Sequence, residues 1–231
     1  MPQIPWKQDN MKYALCFFPL VGALAGGLFL LAARGIVPVL GASYFRGVLL
    51  ALVPALVTGG IHLDGFCDTA DALSSHRDRE TRLRILKDPH AGAFAVICFV
   101  FAELLYAGLL GNMSPKGLML CAIGFVLSRS LGGAALLLFP AATPNGMAAL
   151  CRQGADRQIS LFVLLAFIVF SFAAAAYVSP TGEGVVVLLS VALLAWFHMT
   201  CRKAFGGVTG DAIGFLITVT EILVAAAAFF I

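Results

Sequence analysis

The chain has 231 residues, 61% of them hydrophobic and 12% charged, with a mean hydropathy of +0.97. Soluble domains carry roughly 45–50% apolar and 25% charged residues, so a soluble domain is excluded and an integral membrane protein is expected. The formal net charge of +3 is too small to argue for a nucleic-acid partner.

A hydrocarbon core about 30 Å thick needs about 20 apolar residues as helix. Runs of that kind fall near residues 13–33, 91–111, 117–139, 159–178, 184–201 and 211–231. A further run, 47–60, is short and reaches spanning length when it starts near Ser43. The expectation is an all-α polytopic bundle of about seven transmembrane helices, one membrane domain over 1–231. A re-entrant or interfacial path for part of 36–75 is the alternative. The first run is long enough to span and no small-residue cleavage site follows it, so no secretory signal is expected. Six scattered cysteines form no C-x-x-C pair and are read as small hydrophobes.

Seven crossings gather Lys7, Lys12, Arg77, Arg79, Arg82, Arg84, Lys87, Arg152, Arg157, Arg202 and Lys203 on one side. Arg34, Arg46 and Lys116 fall on the other, and Arg129 lies within a span. The positive-inside rule then places the N-terminus, and segments 61–90, 140–158 and 202–210, in the cytoplasm. The segment after Ser74 reads as a short amphipathic helix capped by Ser75 or Asp78 and stopped by Pro89. No internal repeat is evident, which weighs against an inverted-repeat transporter.

Three aspartates interrupt the apolar pattern within Gly59-Gly60-Ile61-His62-Leu63-Asp64-Gly65-Phe66-Cys67-Asp68-Thr69-Ala70-Asp71. On a helix Asp64, Asp68 and Asp71 stand at about 0°, 40° and 340°, one narrow face. A solvated first turn would explain one or two carboxylates beside the helix dipole; three on one face repel, and a divalent cation relieves the repulsion. Oxygen ligands favour Mg2+, Mn2+ or Ca2+ over zinc. Gly65 leaves room either for a ligand's phosphate or for a neighbouring helix. His62 is a candidate proton shuttle or a satisfied interfacial histidine.

A second constellation, Gly206-Gly207-Val208-Thr209-Gly210-Asp211, is a glycine turn whose Asp211 opens the last span, with Thr209 or Asp211 as the cap. Glu221 shares the face of Asp211 about 15 Å deeper, too deep for the same metal, so a structural pairing with Arg129 or His198 is expected. Arg129 is the costliest base in the chain and should reach a cavity or an acid. The basic run 77–87 is mostly an orientation and headgroup signal. Lys87 and Arg82 are nonetheless candidates to contact phosphate, because bases beside metal-holding acids are the parts of a phosphoryl-transfer site.

These residues together resemble the cobalamin-5′-phosphate synthase family, also called adenosylcobinamide-GDP ribazoletransferase. The matching pieces are Phe17-Phe18-Pro19-Leu20-Val21-Gly22; Gly60-Ile61-His62-Leu63-Asp64-Gly65 with Asp68-Thr69-Ala70-Asp71; Lys87-Asp88-Pro89 with Gly92; Ser128-Arg129; and Thr209-Gly210-Asp211 with Glu221. Cys67 and Ala72 depart from the pattern, and the match weakens after residue 139. The resemblance implies transfer of α-ribazole, or its 5′-phosphate, onto adenosylcobinamide-GDP with release of GMP, the last nucleotide-loop step of coenzyme B12 synthesis. It implies Mg2+ as cofactor and the cytoplasmic membrane of a bacterium or archaeon as location. The expected roles are Asp64, Asp68 and Asp71 on metal; Asp211, Asp71 or His62 as base; and Lys87, Arg82, Arg129, Gly65 and Gly210 at substrate. Two rivals stay open. A CDP-alcohol phosphatidyltransferase would carry D-x-x-D-G rather than the D-G-x-x-D-x-x-D seen here, and a cation or corrinoid transporter would use mid-membrane acids, here Glu103 and Glu221. The sequence leaves the choice between a monomer and a homo-oligomer open.

Overall fold

The computed structural model describes residues 12–144 and 146–231; Lys7 lies outside them. A 3-10 turn, Ala14–Phe17, leads into α1 (Phe18–Leu40). It is followed by α2 (Tyr44–Thr58), α3 (Ile61–Ser74), α4 (Arg79–Ile85), α5 (Ala93–Gly111) and α6 (Pro115–Leu138). The chain ends with α7 (Met147–Gly154), α8 (Arg157–Val178), α9 (Pro180–Ala204) and α10 (Gly210–Phe229). Among the described residues the only extended pairing is an isolated parallel bridge between Ala141 and Val208.

Among the described residues six helices are long and apolar enough to cross a bilayer. The seventh crossing is broken: α2 and α3 are apolar enough only together, and they meet at a 98° bend. The run near 47–60 is therefore not a full span. Its 15-residue helix covers about 22 Å at 1.5 Å per residue, short of the hydrocarbon thickness. Gly59 and Gly60 make the corner, both with positive φ (64° and 77°), a region closed to most side chains. The expected first span also grows. α1 continues to Leu40 through Pro38, while Pro19 sits in its first turn where the missing N–H is harmless.

α6 is the axis of the bundle, buried along nearly its whole length between α1, α8 and α10. Small residues allow this. Gly22 of α1 lies on the Phe125 carbonyl and Gly26, one turn on, on that of Ala122, the close approach that joins helices in lipid without a hydrophobic driving force.

The helix ends sort cleanly. At one end Ser43 N–H donates to the Gly111 carbonyl (3.0 Å), Arg46 caps α5 through the Leu110 and Met113 carbonyls (3.1 and 3.0 Å), and Gly117 lies on the Ala228 carbonyl. At the other end Val208 N–H donates to the Pro140 carbonyl (2.8 Å) and Ala142 N–H to that of Val208 (2.9 Å). The described members of the basic group all fall at this second end, which the positive-inside rule assigns to the cytoplasm. The amphipathic helix forms as α4 with Asp78, not Ser75, as its cap: Asp78 accepts from Thr81 N–H (3.0 Å). It ends at Ile85, before Pro89, as Lys87 and Asp88 turn back onto the Arg84 and Ile85 carbonyls. Proline bars helical geometry in the residue ahead of it.

Candidate active site

Two glycines set the crossing of α3 on α10. A Cβ on Gly65 would stand 2.7 Å from the Asp211 carbonyl oxygen, and one on Gly214 would stand 3.0 Å from the His62 carbonyl oxygen. Thr218 Oγ1 donates to that same His62 carbonyl (3.3 Å). The close-packing reading of Gly65 is thus the one the structure realises. It presses the first acidic motif onto the second although 147 positions separate Asp64 from Asp211 in the sequence.

Asp68 lies within electrostatic reach of Asp64, Asp211 and Asp71, and Asp64 acts on Asp211 as well. Asp64 is exposed and the other three are half-buried. Among the described residues no three Asp, Glu, His or Cys side chains converge closely enough to enclose a metal ion. Thr209 opens α10 by accepting from Ala212 N–H (3.1 Å), which leaves the Asp211 side chain free of the capping role.

Asp71 is engaged elsewhere. Its carboxylate rests against Gly92, and Oδ1 accepts from Ala95 N–H (3.4 Å). The first residue before α5 is that glycine, which has no side chain to offer, so Asp71 of α3 caps α5 in its place. This ties the aspartate helix to α5 and explains why Gly92 belongs to the motif.

His62 is two residues before Asp64, about 200° away around the helix, and it faces inward. Its Nδ1 is 3.4 Å from Arg129 Nη2, and its ring meets Phe18 edge-on at 6.2 Å. Arg129, 1% exposed, pairs with Glu221 and bonds Ser128 Oγ (2.9 Å), as the pairing of Glu221 required. His198 instead packs on Phe139 at 4.3 Å. His62, Arg129 and Glu221 line a small pocket of about 20 Å3 with Glu103, Tyr106 and Thr218, room for about one water. The structure therefore does not bring His62 or Arg129 to the aspartate face.

Lys87 and Gly210 do meet Asp211. They line a cleft of about 170 Å3 at the basic end, walled by α4, α7 and the turn before α10. Arg82 is half-buried and does not line it; its Nε has no hydrogen-bond partner. Arg79 holds the wall. Its guanidinium lies over Gly206 (φ 78°) and donates to the Ala142 carbonyl (3.1 Å). Thr143 and Met147 also line the cleft; sequence reasoning missed them because no charge or spacing marks α7 as part of a site.

The Gly65 contact predicts a measurable effect. Gly65→Ala must push α3 off Asp211, and a displacement of about 1 Å costs on the order of a hundredfold in rate. Gly27→Ala, with nothing within 4 Å of the new methyl, should be neutral. Equal turnover in the two variants would mean that the crossing does not set the site.

The chain matches the family described as cobalamin-5-phosphate synthase over residues 1–229. It is 38% identical to a protein named adenosylcobinamide-GDP ribazoletransferase from Lachnoclostridium phytofermentans, over 96% of this chain and 85% of that one. It is 35% identical to one of the same name from Pseudomonas putida, over 97% and 90%, and 27% identical to one from Clostridium botulinum, over 96% and 89%. No solved structure matches. A match of this length takes in both acidic motifs and the helices that press them together, and the chain belongs to the cobalamin-5-phosphate synthase family.

Proposed function

We propose that this chain is a membrane-bound transferase that joins α-ribazole or its 5′-phosphate to adenosylcobinamide-GDP and releases GMP. The observation that carries the reading is the seating of Asp211 on Gly65, which unites two acidic motifs at one end of a bundle in a family whose relatives bear that activity's name. GMP leaves with its own phosphate, so the attacked phosphorus is the one on the corrinoid side. The acceptor's hydroxyl oxygen bonds to that phosphorus, the bridging P–O bond breaks, GMP takes the electron pair, and the hydroxyl proton passes to a base. Asp211 is that base in our reading, because it stands between the aspartate face and the cleft, whereas His62 and Asp71 are engaged on other helices.

The donor set suits Mg2+: it is oxygen only, and Mg2+ commonly takes one or two carboxylates, completing its shell with water and substrate phosphate. Asp64 and Asp68 would hold it, with Asp71 keeping their helix in place. Bound there, Mg2+ would neutralise the diphosphate and the leaving GMP. The cytoplasmic membrane is the location the family resemblance implies, and the charge distribution turns the acidic motifs toward the cytoplasm. Neither rival is favoured: the family match covers nearly the whole chain, and one of the two mid-membrane acids, Glu221, is already paired with Arg129.

Purified protein given adenosylcobinamide-GDP, α-ribazole and Mg2+ should release GMP, and EDTA should stop it. Corrinoid uptake into vesicles without GMP would replace the transferase by a transporter.

A further inference from the structure

We infer that the cleft beside Asp211 is the acceptor's subsite, and that Lys87 binds the 5′-phosphate of a phosphorylated acceptor, so that this lysine sets the preference between α-ribazole and its phosphate. The inference rests on the transferase reading above.

Among the described residues the Lys87 ammonium has no ion-pair or hydrogen-bond partner, whereas two nearby arginines are committed and Arg82 does not line the cleft. Arg79 is tied to the Ala142 carbonyl and Arg84 to Thr81 Oγ1 (3.1 Å), and Asp88, the adjacent acid, is taken by His90 (2.8 Å). The backbone N–H and the ring of His90 hold the Asp88 carboxyl below the usual carboxylate range, so it stays charged and turned to His90. Lys87 is therefore unpaired at the cleft it lines, which it shares with the Asp211 carboxylate. The start of α10 lines the same cleft through Gly210, and the positive end of that 20-residue helix adds to the field.

The two anionic needs of the reaction are thus separated in space. The diphosphate that reacts belongs at Asp64 and Asp68, where a cation can offset it. A phosphate that does not react requires only a spectator charge, and Lys87 supplies one on the far side of Asp211. Asp211 touches both regions, with its backbone on Gly65 and its residue at the cleft wall, so an acceptor in the cleft presents its hydroxyl to the base. Most of the remaining wall, Leu86, Met147 and Val208 among it, is apolar and suits a benzimidazole ring, with Thr143 and Thr209 as the polar exceptions.

The test measures GMP release by the full-length protein, with α-ribazole and α-ribazole 5′-phosphate as separate acceptors. In the wild type, kcat/KM should favour the phosphorylated acceptor. Lys87→Gln should reduce that ratio about tenfold, the scale of one charge-assisted contact, and Lys87→Arg should keep most of it. Met147→Trp should raise KM for both acceptors with little change in KM for adenosylcobinamide-GDP. An unchanged ratio in Lys87→Gln, a wild type indifferent to the phosphate, or a Met147→Trp effect confined to the donor's KM would each overturn the assignment, the last by giving the cleft to guanosine. Absence of GMP from the wild type with either acceptor would instead strike the transferase reading itself.

Discussion

Asp64→Asn should lower GMP release roughly a hundredfold to a thousandfold, the range for removing one electrostatic contact to charge that develops in a transition state. The variant should still insert and purify. Asp64 is exposed and does not cap its own helix, so asparagine costs little in folding. The residual activity should need more Mg2+ for half-saturation. Asp211→Asn should give a loss of about 10^2–10^4 with no such shift, because a missing base is not restored by cation. Asp71→Asn should behave differently again. Its carboxylate caps α5, and losing such a cap costs about 1 kcal/mol, so its signature is reduced stability with a smaller loss of turnover. Near-normal GMP release by Asp64→Asn would sink the placement of the diphosphate on this face.

Much of this arrangement could be read from the residues before any coordinates. Hydropathy found five of the six long helices to within about four residues, because lipid imposes a length and a composition on every span; it stopped the first at residue 33, short of Leu40. The 3.6-residue period put the three aspartates on one face. Depth along α10 separated Glu221 from Asp211 and left Arg129 or His198 as its partner, of which Arg129 is the one found. What remained hidden was which helices touch. Nothing in the stretch 61–74 says that Gly65 meets Asp211 rather than a phosphate, since both need the same missing side chain. Nothing announces that Asp71 reaches across to cap a helix lacking its own capping side chain. The break between α2 and α3 was also ambiguous, because hydropathy sums a bent path as readily as a straight one. Thr143 and Met147 escaped because uncharged side chains without a motif acquire a role only when the chain folds around them.

Arg129→Met should be the most destabilising single change, by about 3–5 kcal/mol, because it leaves Glu221 charged and unpaired inside the bundle. The reading is a large drop in the apparent melting temperature in detergent at one fixed scan rate, since unfolding of such a protein is irreversible. Arg129→Met combined with Glu221→Leu should recover most of that loss, as replacing a whole buried pair by apolar groups is often neutral. Recovery of stability should not recover turnover. Arg129 joins Glu221 of α10 to His62 of α3, and α3 starts at a glycine corner without a side-chain cap. Its first turn is therefore held by His62, through the ring to Arg129 and through the carbonyl to Thr218. With Arg129 gone, the first turn of α3 keeps its carbonyl bond to Thr218 and the glycine packing against α10 but loses the side-chain contact that orients it. A double variant that melts like the wild type but releases GMP about tenfold more slowly, a loss well short of the effect of a 1 Å misplacement, would show that the pair positions the site as well as stabilising the bundle. If the single variant melts with the wild type, the ion pair holds neither.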